Sequence, residues 1–325
     1  MARRTTVLVA ALALALAACA SGSGSDAGSG TGATGATASG AMSSTGGTYP
    51  VSVTGTNGDV TIASQPERIV SLSPSATEML FAIGAGPRVV GVGSFDRYPP
   101  EVLTRTKVGG LIDPDIERII SLKPDLIVVY ATQTDLRTQM DRAHIPIYLY
   151  QHSGLPDITT TIRAVGKRVG NERAAEELAR QIEDDIAATR RRVAGRPRPR
   201  TLLVFGRDPE TLRGIYASGG IGFLHDMLEA AGATNVFADV KGQSIQATSE
   251  VILARAPDVI LEIGIDTASS PGRNLRAWDA LASVPAVRMH RIYQVRGDEM
   301  MNPGPRVARA IQRMAGALHP QVSDK

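Results

Sequence analysis

The stretch NERAAEELARQIEDDIAATRRRV, residues 171–193, holds neither proline nor glycine. Asn171 opens it as an N-cap residue, and Glu172 places a negative charge at the positive end of a helix. Ala175, Leu178, Ile182, Ile186, Thr189 and Val193 recur at steps of three and four, giving one largely apolar stripe on a charged rod. Gly195, Pro197 and Pro199 stop the helix. At 1.5 Å per residue it spans roughly 34 Å, the width of a small domain, so it can join two lobes stiffly.

The two flanks of this helix resemble each other. Glu78-Met79-Leu80-Phe81-Ala82-Ile83-Gly84-Ala85 stands before it and Asp226-Met227-Leu228-Glu229-Ala230-Ala231-Gly232-Ala233 after it. Glu117 precedes the pair Pro124-Asp125 by the same interval that separates Glu250 from Pro257-Asp258, with apolar helix-like sequence between. Two matched segments in the same order imply two similar α/β lobes bridged by one helix.

At the N-terminus, Arg3 and Arg4 precede the apolar run Val7 to Ala18, which is too short for an ordinary membrane span and has the form of a secretory signal, residues 1–18. The run ends in Leu16-Ala17-Ala18-Cys19, which resembles the lipobox of bacterial lipoproteins, in which the cysteine carries the lipid. Cys19 is the only cysteine, so neither an internal disulfide nor a cysteine-based metal cluster is available. Residues 20–48 are almost entirely Gly, Ser, Ala and Thr and cannot build a core. With the residues up to 65 they are expected to form a tether, followed by a lobe over 66–156, a bridging segment over 157–197 and a second lobe over 198–325. The chain is then exported and held at a membrane by its lipid, facing the periplasm or the cell exterior.

Of the 35 basic residues, removing Arg3 and Arg4 leaves 33 against 32 acidic ones, so the body is nearly neutral and gives no reason to expect a nucleic-acid partner. The arginines at 190–192, 196, 198 and 200 sit where a helix C-terminus favours cations. The histidines, at 144, 152, 225, 290 and 319, show no metal-ligand spacing. No nucleophile elbow, His-Glu-x-x-His or dinucleotide fingerprint occurs, which argues against a surface-anchored hydrolase or another enzyme and against a resident cofactor.

Candidate ligand residues follow strand ends, where open α/β sheets gather their ligands. Ser75 lies in a turn that aims backbone N–H groups beyond the strand Arg68–Leu72. Tyr98, before Pro99 and Pro100, is held on display by a rigid loop; it either meets a ligand or packs over that loop. Gly110 and Leu111 form a second edge loop, and Tyr130, Gln151 and His152 follow strand ends. In the second lobe Arg207 follows a strand, Tyr216 enters a glycine turn, and Met300 and Met301 offer soft contacts to a flat ligand or fill the core. The sole tryptophan, Trp278, falls in a peripheral helix.

The segment Arg68 to Glu78, the Tyr98-Pro99-Pro100 loop, the run Ile116 to Leu126 and the run Glu250 to Pro257 resemble the periplasmic binding proteins for vitamin B12, iron-siderophores and haem, most of all the cobalamin-binding branch. The resemblance covers nearly all of residues 66–318. It implies the class III architecture, two Rossmann-like lobes joined by one long helix, and a solute carrier that delivers its ligand to an ABC importer. It also implies that Tyr98 stacks on a corrin, and that Glu117 and Glu250 dock on the two subunits of a permease dimer. The loop before Glu117 reads Gly109-Gly110-Leu111 where cobalamin binders carry a tryptophan. Haem, with Tyr98 or His152 on its iron, and a siderophore, met by Arg97 or Arg207, are the other ligands the resemblance admits.

Overall fold

The computed structural model describes residues 49–55, 58–131, 134–265 and 272–320. The signal segment, Cys19 and the tether up to residue 48 lie outside the described residues. After a hairpin of β1 (Val51–Gly55) and β2 (Gly58–Ile62), the first lobe runs β3 (Ile69–Ser71), α1 (Pro74–Ala82), β4 (Val89–Val92), β5 (Thr106–Lys107), α2 (Ile116–Ser121), β6 (Leu126–Tyr130), α3 (Thr134–Arg142) and β7 (Ile147–Tyr150). Its sheet is wholly parallel in the order β5-β4-β3-β6-β7. Helices cover both faces, which is why β6 is a continuous buried run of Leu126, Ile127, Val128 and Val129 rather than an alternating one.

The hairpin corrects the expected tether, since the chain is folded from about residue 49. Val51 and Ile62 are buried, the Tyr49 hydroxyl donates to the Arg168 carbonyl at 3.0 Å, and the Gln65 amide donates to that of Val169 at 3.1 Å. The small-residue composition ends at residue 48, and beyond it Val51-Ser52-Val53 and Val60-Thr61-Ile62 alternate with the period of a strand.

α4 (Pro156–Val169) then turns at Gly170, whose φ of 70° suits a glycine, into α5 (Glu172–Val193). The buried stripe of α5 is Ala175, Ala179, Ile182, Ile186, Thr189 and Val193, with Leu178 half-buried beside it. Arg163 of α4 clips the two helices together through Glu176 and Glu183, each at 2.7 Å. The first turn of α5 belongs to the first lobe: the Asn171 amide donates to the Ile83 carbonyl at 2.8 Å and accepts from Arg88. Its last turn belongs to the second, with Val193 pressed against Gly232.

The second lobe runs β8 (Arg200–Gly206), β9 (Ile215–Ser218), α6 (Phe223–Ala230), β10 (Thr234–Asn235), β11 (Ser244–Ala247), α7 (Ser249–Arg255), β12 (Val259–Gly264), α8 (Pro285–Arg288), β13 (Ile292–Arg296) and α9 (Val307–Leu318). β8, β12 and β13 are parallel, whereas β9 pairs antiparallel with β8 and the edge strand β11 pairs antiparallel with β9. Trp278 is fully buried in this lobe's core, not peripheral, because its indole N–H donates at 2.7 Å to the buried carboxylate of Glu262.

The sequence repeat has a hydrogen-bonded counterpart. Asp125 accepts the Arg68 N–H at 2.9 Å while the Arg68 side chain donates to the Leu122 carbonyl at 2.8 Å. Asp258 accepts the Arg200 N–H at 3.0 Å while the Arg200 side chain donates to the Arg255 carbonyl at 2.8 Å. In each lobe the Pro-Asp pair thereby fastens the preceding helix, α2 or α7, to the start of the central strand. The residue before each proline, Lys123 or Ala256, turns left-handed with φ of 47° or 45°.

Candidate ligand cleft

The lobes enclose a cleft of about 430 Å³. From the first lobe it is lined by Ser73, Ser75, Glu78, Phe95, Arg97, Tyr98, Leu111, Tyr130, Tyr150 and His152, and from the second by Phe223, Gln243, Ile265, Asp298, Met301, Asn302 and Arg306. Aromatic and aliphatic side chains dominate, with a few placed polar groups, as in sites for sizeable organic ligands.

A network under the first-lobe wall keeps its polar atoms neutral. The Tyr150 hydroxyl lies 2.5 Å from the Ser73 hydroxyl and 2.6 Å from that of Ser75. Burial pushes the Tyr150 phenol up to about 12, against the lowering effect of both serines. Burial also brings His152 down to about 4, so its imidazole is uncharged at neutral pH. Its Nε2 meets the Thr161 hydroxyl at 3.1 Å, and its Nδ1 has no hydrogen-bond partner. Tyr130 stands edge-on to Tyr150, their ring centroids 5.5 Å apart.

The loop after β4 carries Phe95 and Tyr98 to the rim, and buried Asp96 holds it from behind. The Asp96 carboxylate accepts the Gly93 N–H at 3.1 Å and the Thr77 hydroxyl, while Lys107 donates to the Asp96 carbonyl at 2.8 Å. Burial raises the Asp96 carboxyl from 3.8 to about 6, against the lowering effect of the Thr77 and Gly93 hydrogen bonds. A raised acid takes up its proton in the folded state first. Its destabilising effect is therefore fully present above pH 6 and is relieved as pH falls from 6 towards 4. Asp96→Asn should accordingly gain on the parent by roughly 2 kcal/mol between pH 4.5 and pH 7.5, read as the difference in unfolding free energy. A difference that does not change with pH would reject this account of Asp96.

At the base of the cleft Arg306 forms a two-pronged pair with Glu78, Nε to Oε2 at 2.8 Å and Nη2 to Oε1 at 2.6 Å. Burial works against its charge, but the Glu78 hydrogen bonds and field more than compensate and hold its pKa above the ordinary value. The same guanidinium lies 4.0 Å from the centre of the Tyr98 ring, which remains 44% exposed. The charged lining residues are Glu78, Arg97, Asp298 and Arg306, two of each sign.

Of the residues read from sequence, Ser75, Arg97, Tyr98, Leu111, Tyr130, His152 and Met301 meet in this cleft. Pro99 and Gly110 belong to the loops that carry Tyr98 and Leu111 but lie outside the lining, and Gln151 faces solvent. Met300 is fully buried in the core. Arg207 is a correction: it is sealed in the second lobe, donating to Glu262 at 2.6 Å and to the carbonyls of Asp208 and Asn274. A guanidinium so satisfied has nothing left for a ligand. Tyr216 sits on β9 against Phe205, 6.3 Å between ring centroids, outside the cleft lining. Sequence reasoning missed Ser73, Glu78, Phe95, Tyr150, Phe223, Gln243, Ile265, Asp298, Asn302 and Arg306 as cleft residues; a helix acid inside the repeated segment was the one usable signal, at Glu78.

Glu117 and Glu250 are both exposed in the first turns of α2 and α7. Their caps match, since Asp115 accepts the Arg118 N–H at 2.9 Å and Thr248 accepts the Val251 N–H at 3.4 Å. Exposed Ile120, Val251 and Leu253 share these two helices.

The family described as periplasmic binding protein matches residues 69–299. An uncharacterized ABC transporter substrate-binding lipoprotein of Bacillus subtilis, YvrC, is 30% identical over 84% of this chain and 87% of its own. A vitamin B12-binding protein of Salmonella typhimurium is 29% identical over 77% of this chain and 90% of its own. Among solved structures, the periplasmic haem-binding protein RhuT of Roseiflexus superposes with a TM-score of 0.65 at 27% identity, over 79% of this chain and 99% of that one.

Proposed function

Because the chain belongs to the periplasmic binding protein family, we propose that it captures a cobalamin between its lobes and delivers it to the permease of an ABC importer. Members of this family bind solutes and are not enzymes, and the chain is an ABC transporter substrate-binding protein of the vitamin B12, haem and siderophore type. The observation that carries the choice of ligand is the charge balance of an otherwise apolar, aromatic cleft, whose lining holds two acids and two arginines, one of each already paired. A corrin surrounded by neutral amides suits such a site. A haem with two carboxylates or an anionic catecholate chelate calls for an excess of arginine. The vitamin B12-binding relatives support the same choice.

Haem is the second reading, favoured by the exposed phenol of Tyr98, which can bind ferric iron. Calorimetric titration of the chain with cyanocobalamin, haemin and a ferric hydroxamate separates them. Saturable one-to-one binding of cyanocobalamin with weaker binding of the other two is the expected result; preference for haemin, with a shifted absorbance band, overturns the assignment. Attachment through a lipid on Cys19 is part of the same reading, supported by the lipoprotein relative of Bacillus subtilis. Cys19→Ser should move the protein from the membrane fraction to the soluble one, and unchanged fractionation would refute the anchor.

A further inference from the structure

The repeated segments that identify two lobes also join them. Glu78 and Asp226 hold equivalent positions, each before Met-Leu, on α1 and α6. Each makes its bond to the other lobe. Glu78, almost fully buried, accepts both prongs of Arg306 and, at 2.7 Å, the amide of Asn302. Asp226 accepts the N–H of Leu155, in the loop between β7 and α4, at 2.8 Å.

We infer that Glu78 and Asp226 are a pseudo-symmetric pair of interlobe ties that fix the width of the cleft, and that Arg306 is the positioning residue that backs the Tyr98 ring across it. With the α5 bridge and the apolar core that runs through both lobes, the two ties are too many attachments for a free hinge. The ties are unequal. The Glu78 tie is a buried, charge-assisted fork, whereas the Asp226 tie is a single bond to a backbone N–H. Loosening should therefore be greatest on the Tyr98 side. Arg306 occupies one face of the Tyr98 ring as a cation over its π system. The part concerning Tyr98 rests on the cleft being the ligand site, whereas the ties do not.

The test uses the full chain carrying Cys19→Ser, with nitroxides at Ser121→Cys and Ala254→Cys, exposed positions on α2 and α7. Pulsed dipolar spectroscopy without ligand should give one narrow distance in the parent. Glu78→Ala should broaden and shift it, Asp226→Ala should do so less, and Glu78→Gln, which keeps one acceptor, should fall between parent and Glu78→Ala. Arg306 retains Glu299 at 3.5 Å, so the variants do not strand its charge. Where Glu78→Ala fails to fold, Glu78→Gln carries the comparison. Cyanocobalamin affinity should drop about tenfold in Glu78→Ala, in step with the loss of a charge-assisted bond. Distance distributions identical to the parent's in the Glu78 variants overturn the ties. Because the distances are read without ligand, they decide this even if the parent binds no cobalamin, a result that would count only against the ligand assignment.

Discussion

Tyr98→Ala is expected to weaken cyanocobalamin binding about thirtyfold, the largest loss from any single cleft residue. The ring is 44% exposed, presented by the loop that Asp96 holds and backed by Arg306, so it stands ready with one face toward the cleft. Covering that face is worth roughly 1 kcal/mol in apolar area, and stacking on a conjugated ring adds roughly another. Tyr98→Phe separates the two ligand readings. Stacking needs only the ring, so a cobalamin site should keep nearly all its affinity in Tyr98→Phe. Iron coordination needs the phenol oxygen, so a haem site should lose its absorbance shift in the same variant. Calorimetry on both variants checks this, and wild-type affinity in Tyr98→Ala would remove Tyr98 from the site.

What the sequence disclosed was local. The bridge is legible at 171–193 because its stripe, caps and stop signals all lie within one helix. Strand ends were legible for the same reason, and they brought Ser75, Leu111, Tyr130, His152 and Met301 into the cleft. The misplacements are of groups whose partners are distant in sequence. Arg207 looks available until Glu262, in the next parallel strand, neutralises it. Arg306 follows a Gly-Pro pair that reads as a loop, and its partner Glu78 lies in the other lobe. Tyr216 was drawn to the site by a glycine turn, but β9 runs antiparallel between β8 and the edge strand β11 and leaves it outside the lining. Charge pairing and strand direction are set by tertiary contacts, which no window of twenty residues contains.

Replacing both Glu117 and Glu250 with alanine should abolish delivery to the permease while leaving cyanocobalamin affinity within about twofold of the parent. Neither side chain lines the cleft, and both are exposed. The same capped first turn and the same Pro-Asp fastening place one exposed glutamate on each lobe, a repeated pair that would suit a partner made of two like subunits. Hydrogen bonding from the Thr248 hydroxyl holds the Glu250 carboxyl below its ordinary range. If docking buries each glutamate against a cation, truncating one costs roughly 2–5 kcal/mol, so the double variant loses more permease affinity than either single variant. Exposed Ile120, Val251 and Leu253 would supply the apolar contact between the two charged points. Cobalamin uptake into vesicles holding the permease and its ATPase, measured beside cyanocobalamin affinity in solution, distinguishes docking from ligand binding. Docking through charge further requires that added salt weaken the wild-type complex more than that of either single variant, because two screened attractions are lost rather than one. An equal fall in affinity and uptake, or a salt response the same in all three proteins, would assign these glutamates to the fold and not to the partner.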